Sequence, residues 1–306
     1  MNAAFWKRRV KVLLLGNGEK SGWLIRILIY LILLDISVIY LNPFFYMIAT
    51  MFKSGVDLVD PTIRWIPRVV ELENLKLAWQ GLRYLSSLSN SLLIVSLGAI
   101  FQVVFCSLAG YAFARISFPG KTLLFGLLLF SFLIPPQTII IPLYILFGKL
   151  GWLGTPLAIV GPAIFGHGIK GALFVIIFRQ FFMTLPKELE EAAKIDGAGM
   201  FRVYWRVIMP LSTPALLVVF LFSFIWHWND TTFTQLMLRG EFTPLSISLN
   251  GLDQVLNGTF GQEKDVKLNE TVRMAASFLV IFPPLIVYFI AQRWFVEGVE
   301  RTGLVE

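Results

Sequence analysis

The residues of this chain best suited to chemistry lie in one polar run between two long apolar segments. The run is Glu188-Leu189-Glu190-Glu191-Ala192-Ala193-Lys194-Ile195-Asp196-Gly197, and it continues to Pro210. Its chemistry is that of binding, since it offers carboxylates and an amine but no nucleophile beside a base. A strongly polar run has to leave the lipid, so it predicts a surface for a water-soluble partner.

Two short helices joined by a bend are needed to position this run. Pro186 suits the first turn of a helix, and the acids that follow it favour the positive end of the helix dipole. Asp196-Gly197 predicts the bend, because glycine frees the backbone to turn. Pro210 marks the end of the second helix. The apolar face of that helix is formed by Met200, Phe201, Tyr204, Trp205 and Ile208.

The spacing of Glu191-Ala192-Ala193, Gly197 and Val207-Ile208-Met209-Pro210 resembles the cytoplasmic coupling motif of binding-protein-dependent ABC transporter permeases. The family pattern has Ile and Leu where this chain has Val207 and Met209, and both changes keep apolar bulk. The flanking runs Arg179-Gln180-Phe181-Phe182 and Leu185-Pro186 resemble the carbohydrate-uptake branch, in particular its maltose-permease-like subunits. Trp228-Asn229-Asp230 is also similar to the sugar-permease branch. The alternative for the polar run is an amphipathic loop helix that only lies on the membrane surface.

The resemblance implies a role for each residue of the motif. Glu191 would make the charge contact with an ATPase, Ala192 and Ala193 would form a close-packing face, and Gly197 would form the bend. The aromatic side chains of the second helix would be the apolar anchor in a groove of the partner. The implied ATPase-coupling residues are Glu191, Ala192, Ala193, Asp196, Gly197, Phe201, Tyr204, Trp205 and Pro210.

The family also implies partners: a second homologous permease subunit, an ATP-binding cassette ATPase dimer and an extracytoplasmic substrate-binding protein. The chain itself lacks ATPase motifs, since the run Gly16-Asn17-Gly18-Glu19-Lys20-Ser21 has Glu19 where a phosphate loop needs glycine. We therefore expect ATP and Mg on the partner ATPase, with no cofactor, metal site or catalytic residue on this chain. Two histidines and one cysteine also make a zinc site improbable.

Composition places the chain in a membrane. Of its 306 residues 57% are hydrophobic and only 15% are charged, whereas soluble domains carry about 25% charged residues. The net charge of +7 does not point to nucleic acid here, because basic residues flanking spans follow from the positive-inside rule. We expect a multi-pass protein of a bacterial or archaeal cytoplasmic (inner) membrane, with both termini cytoplasmic.

The expected fold is an all-α membrane protein of about six transmembrane helices, the type I ABC importer permease fold with a cytoplasmic coupling helix pair. Stretches of about 20 apolar residues qualify as spans. These are 27–49, 90–113, 122–146, 157–182, 211–236 and 272–293. The predicted parts of the chain are a cytoplasmic segment 1–26, a first transmembrane helix 27–49, an extracytoplasmic segment 50–88, an ABC transporter type-1 transmembrane domain 86–293 and a cytoplasmic tail 294–306.

Polar side chains inside the predicted spans are candidates for a substrate pathway. A charge at mid-membrane usually faces a cavity or a partner, which applies to Lys170 with His167 one turn earlier. The alternative is that this span begins near Gly171, which leaves both residues at the outer face. Tryptophan can stack on sugar rings while amide and carboxylate groups bond hydroxyls, although an interfacial aromatic belt explains the same residues. The candidates are His167, Lys170, Trp226, Trp228, Asn229 and Asp230.

By resemblance the chain is expected to be a permease subunit that moves a sugar or oligosaccharide by alternating access. One alternative is an ion-coupled secondary transporter, in which Asp35, Lys170 and Asp230 form a relay. Another is a membrane scaffold that transports nothing. The relay explains the charges within the spans but leaves the Glu-Ala-Ala run unexplained, and the sequence does not name the solute.

Overall fold

The computed structural model describes residues 16–17, 20–260 and 266–303. This part of the chain is helical apart from connecting segments and one antiparallel pair, β1 (Gly16–Asn17) with β2 (Lys20–Ser21). The chain divides into two units, residues 1–76 with 264–278 and residues 77–263 with 279–306. Most of the predicted segment 1–26 and the last residues of the predicted tail 294–306 lie outside the described residues.

The helices in chain order are α1 (Trp23–Met51), α2 (Gly55–Val59), α3 (Glu73–Gly81), α4 (Tyr84–Arg115), α5 (Lys121–Leu133), α6 (Pro136–Lys149), α7 (Leu157–Ile164), α8 (Gly171–Thr184), α9 (Glu188–Ile195), α10 (Met200–Val203), α11 (Met209–Leu211), α12 (Thr213–Asn229), α13 (Thr232–Leu238), α14 (Leu245–Asn250), α15 (Leu252–Phe260) and α16 (Val266–Gly303). One wide π-helical turn, Tyr204–Ile208, joins α10 to α11. The all-α prediction is confirmed.

Three of the described helices are long and apolar enough to cross a membrane. They are α1, α4 and the part Glu270–Trp294 of α16, which coincide with the predicted spans 27–49, 90–113 and 272–293. Two bent helix pairs pass the same test, so length and composition give three to five spans among the described residues, where about six were expected. The difference arises because the three remaining predicted spans are broken helices.

The predicted span 122–146 consists of α5 and α6, which bend by 103° where they meet. Ile134 and Pro135 are extended at the break, with ψ angles of 123° and 129°. A proline disfavours helical backbone in the residue before it, and Pro136 suits a helix start because its missing N–H costs nothing there. The predicted stretch is therefore a broken span made of two helices.

The predicted span 157–182 is also interrupted, because α7 ends at Ile164 and α8 begins at Gly171. Between them Gly166, Gly168 and Lys170 have φ angles of 66°, 125° and 60°. Left-handed backbone cannot continue a right-handed helix. The second helix of this stretch therefore begins at Gly171, the residue at which the alternative interpretation started the span.

The predicted span 211–236 breaks at both ends. The chain bends by 78° between the Met200–Leu211 segment and α12, and α12 stops at Asn229. Asp230 is extended, and its Oδ2 accepts hydrogen bonds from the amide and hydroxyl of Thr234 at 2.9 and 2.7 Å. A carboxylate that accepts from an amide in the first turn of a helix favours a helix start, so α13 follows as a separate helix.

In the first unit the segment after α1 is folded around buried polar groups. The Lys53 ammonium donates to the carbonyls of Ile63 and Arg64 at 2.9 and 2.8 Å. The buried Asn74 amide donates to the carbonyls of Met51 and Lys53. Buried donors with satisfied partners stabilise a defined conformation, so this stretch of the predicted segment 50–88 is an ordered structure.

In the second unit α4 lies against both α8 and α12. Their shared core includes Phe174, Phe178 and Phe182 of α8 and Val219 of α12. Close approach of α4 to α8 depends on Gly110, since a Cβ added there would lie 2.6 Å from the Phe178 Cβ. Small residues allow helix backbones in a membrane to approach each other closely.

We therefore expect Gly110→Ala to destabilise the purified protein by about 1–3 kcal/mol, the usual cost of overpacking a filled core. Gly126→Ala on α5 is the matched control, because a Cβ there meets nothing within 4 Å. The measurement is thermal unfolding of both variants in detergent. Equal midpoints for the two variants would contradict the close approach of α4 and α8.

Candidate functional site

The polar run forms the predicted pair of short helices joined by a bend. It comprises α9, the turn Asp196–Gly199, α10 and the π-helical turn, and we call it the coupling element. Gly197 sits in the turn with a φ of 80°, a conformation that residues with a Cβ rarely adopt. Acids fill the first turn of α9, where the helix dipole favours negative charge. Pro186 lies just before α9, and Pro210 lies in the short α11 that follows the element.

The second half of the coupling element divides its apolar residues between two faces. Tyr204 and Ile208 are buried in the core of the second unit, so Tyr204 is not available as the outer anchor that the family resemblance implies. Phe201 and Trp205 point outward, with 70% and 40% of their surfaces exposed. Adjacent positions on a helix lie on different faces, which is why Tyr204 is buried while Trp205 is exposed.

We call the exposed apolar residues of the coupling element its apolar patch. Its members are Ile195, Met200, Phe201 and Trp205, and Ile195 is 86% exposed. The rings of Phe201 and Trp205 lie edge to face with centroids 6.1 Å apart. Clustered exposed apolar side chains rimmed by charges mark interaction sites on proteins.

The remaining predicted coupling residues lie around this patch. Glu191, Ala192 and Asp196 are exposed on α9 and its end, and Pro210 is exposed in α11. Ala193 is half-buried and packs against the core of the second unit. Alanine at this position allows α9 to lie close to that core.

Sequence reasoning missed the buried ion pair that attaches the coupling element to α4. Arg115 Nε lies 3.0 Å from Glu190 Oε1, and both side chains are more than nine-tenths buried. The two atoms do not meet in hydrogen-bond geometry, so the contact is a charge pair. The Arg115 guanidinium also donates to the carbonyl of Leu185 just before α9.

Two further bonds join the coupling element to α4. The Tyr111 hydroxyl donates to Glu190 Oε2 at 3.2 Å, and the Tyr204 hydroxyl shares a 2.7 Å hydrogen bond with the Ser107 hydroxyl. Each half of the coupling element is therefore tied to the same long helix. The sequence held one signal for this network, a lone arginine at the end of a long apolar helix.

The candidate pathway residues divide into two groups. His167, Lys170 and Asp230 line one cavity of about 400 Å³, together with Gln137 of α6, and we call it the loop cavity. Its other walls come from α5, α7, the start of α8 and α13. Its volume lies within the range of about 300–1,000 Å³ found for ligand pockets. Sequence reasoning missed Gln137, because it lies in another predicted span.

Trp226, Trp228 and Asn229 do not line the loop cavity. Trp226 stacks between Phe174 and Phe222 with ring centroids 5.4 and 5.6 Å away. Trp228 is buried and stacks on Phe224. These contacts assign both tryptophans to packing, while Asn229 is exposed at the end of α12. Asp35 of the alternative relay is exposed on α1.

The loop that carries His167 and Lys170 is held by buried polar groups of α4. The Gln102 amide donates to the Ile169 carbonyl at 2.9 Å and accepts a hydrogen bond from the Ser223 hydroxyl of α12. The loop backbone packs so tightly that a Cβ on Gly171 would lie 2.5 Å from the Gly166 carbonyl oxygen. The loop conformation is therefore built into the core. No group of acids, cysteines and histidines that could hold a metal occurs in the described part of the chain.

Comparison with known proteins yields consistent matches. The family model for the binding-protein-dependent transport system inner membrane component matches residues 102–301. A putative ABC transporter permease of Caldicellulosiruptor sp. strain Rt8B.4 is 31% identical over 84% of this chain and 88% of its own length. The melibiose/raffinose/stachyose import permease protein of Bacillus subtilis strain 168 is 29% identical over 86% of this chain and 90% of its own length.

A solved structure shares the fold. It is a crystal structure of a bacterial ABC transporter involved in the import of the acidic polysaccharide alginate. The matched chain has 22% identity and a TM-score of 0.72, and the match covers 89% of this chain and 96% of that one.

Proposed function

We propose that this chain is a permease subunit of an ATP-driven sugar importer, because it belongs to the family of binding-protein-dependent transport system inner membrane components. The observation that carries the proposal is the coupling element. Its Glu-Ala-Ala helix, its glycine turn and its exposed apolar patch combine the family's motif with a surface ready for a partner.

Sugar is proposed as the substrate class from the relatives. The Bacillus subtilis relative named as a melibiose/raffinose/stachyose permease matches along nearly its whole length. Trp228-Asn229-Asp230, which resembles the sugar branch, adds support from the sequence. The wall of the loop cavity includes carboxylate, amide, ammonium and imidazole groups, and sugar hydroxyls bond to such groups.

The proposed assembly places an ATPase subunit on the outward patch of the coupling element. An amphipathic helix laid into a groove buries side chains such as Phe201 and Trp205, while Glu191 contacts a cation at the rim. ATP and Mg would bind the ATPase, because this chain carries no phosphate-loop motif. A second homologous permease and an extracytoplasmic binding protein complete the importer.

The proposed orientation puts the coupling element and both termini in the cytoplasm. Lys187, Lys194, Arg202 and Arg206 are exposed on this short connection between apolar helices. Short loops rich in lysine and arginine remain on the cytoplasmic side of membranes. The loop cavity, at the other end of α8 from the coupling element, would then lie toward the opposite side of the membrane.

The proposed mechanism is alternating access, with force transmitted through α4. ATP binding closes the ATPase dimer and moves the coupling elements together, and hydrolysis returns them. Glu190 with Arg115, and Tyr204 with Ser107, fasten the element to α4, which also packs on α8 and α12. Motion of the coupling element is thereby passed to the helices that surround the loop cavity.

We expect Gly197→Leu to reduce ATP-driven uptake about tenfold or more, because leucine disfavours the φ of 80° that the turn requires. Space is not the obstacle, since nothing lies within 4 Å of a Cβ at this position. Gly199→Leu is the matched control, with the same open space and a φ of −68°. Gly197→Asn should recover part of the activity, since asparagine tolerates this conformation.

Glu191→Lys is expected to weaken ATP-driven uptake comparably by reversing the charge offered to the ATPase. Glu188→Lys, exposed on the same helix, is its control. The measurement is uptake into proteoliposomes that contain this permease, its partner permease and the ATPase, with a sugar-loaded binding protein outside. Uptake that persists without ATP and follows a proton or sodium gradient would favour the secondary transporter instead.

A further inference from the structure

We infer that the loop cavity is a subsite for the anionic group of a charged carbohydrate, so that this subunit selects for uronates or sugar phosphates. The inference rests on the proposed function and names the substrate class of that transport path. Its basis is the set of polar groups that converge on the cavity from separate elements: Gln137 from α6, His167 and Lys170 from the loop, and Asp230 after α12.

Lys170 supplies the positive charge of the cavity. It is exposed into this space, and within the described residues it forms no ion pair with Asp230 or with any other acid. An ammonium at membrane depth is costly unless a counter-charge or water accompanies it. A carboxylate or phosphate on a ligand would supply the counter-charge that the described protein does not.

The depth of Lys170 follows from the length of α8. This helix has 14 residues, so it rises about 21 Å from the coupling element to Gly171. The hydrocarbon core of a bilayer is about 30 Å thick. With the coupling element at the cytoplasmic surface, as proposed, an untilted α8 would carry Lys170 past the midplane toward the outer face, which agrees with a span that begins near Gly171.

His167 adds a directed donor to the same wall. Its Nδ1 accepts the amide proton of Gly168 at 2.9 Å, so the proton of the neutral ring is on Nε2. Asp230 uses Oδ2 for both bonds to Thr234, which leaves Oδ1 as an acceptor. The cavity thus offers an ammonium and an N–H donor for an anion and an acceptor for hydroxyls. An acidic sugar carries both kinds of group.

The cavity wall is preorganised for such a ligand. The Gln102 amide fixes the Ile169 carbonyl, and the His167 amide donates to the Pro162 carbonyl at 3.0 Å. Lys170 itself is held at a φ of 60° directly before the first turn of α8. Groups held in place before binding lose little conformational entropy when the ligand arrives, so their placement favours specific recognition.

The test is ATP-driven uptake by the complete importer, reconstituted with its own ATPase, partner permease and binding protein. The probes are trigalacturonate for a carboxylate, glycerol 3-phosphate for a phosphate, and raffinose and maltotriose as neutral sugars. The variants are Lys170→Asn, which removes the charge but tolerates the positive φ, and Lys170→Arg, which keeps the charge. Lys149→Gln, an exposed lysine outside the cavity, is the control.

We expect the parent importer to take up an acidic probe. In Lys170→Asn the KM for that probe should rise about tenfold to hundredfold, because one charged hydrogen bond is lost. The KM of Lys170→Arg and of Lys149→Gln for the same probe should stay close to that of the parent importer. The probe that is transported separates carboxylate from phosphate.

Two results would overturn the subsite and leave the importer intact: uptake of neutral sugars alone, or an unchanged KM for an acidic probe in Lys170→Asn. ATP-independent uptake of every probe would overturn the proposed function itself, and the subsite with it.

Discussion

Glu190→Gln is expected to lower the free energy of unfolding by about 3–5 kcal/mol, the usual cost of breaking a buried ion pair from one side. The substitution leaves the Arg115 guanidinium charged and more than nine-tenths buried. It also weakens the acceptor of the Tyr111 hydroxyl. Arg115→Met should cost a similar amount, because it strands the Glu190 carboxylate and the Leu185 carbonyl.

The double variant Glu190→Leu with Arg115→Met distinguishes the effect of the ion pair on stability from the effect of side-chain packing. Replacing both members of a buried pair by apolar side chains is often close to neutral, so this variant should be more stable than either single charge deletion. Glu191→Gln is the matched control, since the neighbouring carboxylate is exposed. Surface substitutions of this kind usually change stability by less than about 0.5 kcal/mol.

The measurement is unfolding of the purified protein in mixed micelles by added denaturing detergent, with uptake assayed in parallel. The single variants Glu190→Gln and Arg115→Met should lose stability and ATP-driven uptake, whereas Glu191→Gln should keep its stability. A Glu190→Gln variant as stable as Glu191→Gln would show that the pair with Arg115 is not formed. A stable double variant that still couples ATP to uptake would show that the pair is not needed for transmission.

Phe201→Ala and Trp205→Ala should each weaken binding of the ATPase by about 2–4 kcal/mol, which is roughly thirtyfold or more in Kd. Aromatic anchors at the centre of an interface carry most of its binding energy. Both rings already project from a fixed element, because Tyr204 and Ile208 hold the same segment in the core. Little conformational entropy is then lost on docking.

Phe130→Ala is the control for these variants, because Phe130 is 61% exposed on α5, away from the coupling element. The measurement is co-purification of the ATPase with each permease variant, followed by titration of ATPase binding in detergent. Wild-type affinity in both Phe201→Ala and Trp205→Ala would exclude the outward patch as the docking surface. Loss of binding in Phe130→Ala as well would point to general misfolding.

The features that could be predicted from the sequence are those that depend on neighbours along the chain. Gly197 predicted the turn because a left-handed φ favours glycine, and the acids of α9 predicted a helix start because the dipole favours them. The long apolar runs of α1 and α4 predicted spans because lipid satisfies no backbone group. Composition alone therefore placed the chain in a membrane and its polar run outside the lipid.

The breaks inside the other spans were harder to predict, although the sequence contains prolines and glycines at those positions. Pro135 and Pro136 stand in the sequence at one of these breaks, but prolines inside a helix produce anything from a slight bend to the 103° turn observed here. The loop from Phe165 to Lys170 combines glycines with a lysine at positive φ, and hydropathy averages over such short stretches. The buried Gln102 side chain and close backbone packing decide that the helix stops there.

By itself the sequence determined the all-α membrane fold, the coupling motif and its glycine turn, because local backbone preference and hydropathy encode all three. Only the tertiary structure decided that Glu190 is buried while Glu191 is exposed, and that Tyr204 packs inward while Trp205 faces out. Only the tertiary structure placed Gln137 beside Lys170 and both tryptophans of α12 in packing contacts. The burial and contacts of these side chains depend on which helices pack together although they are far apart in the sequence. The residue pattern within one helix does not specify its packing partner.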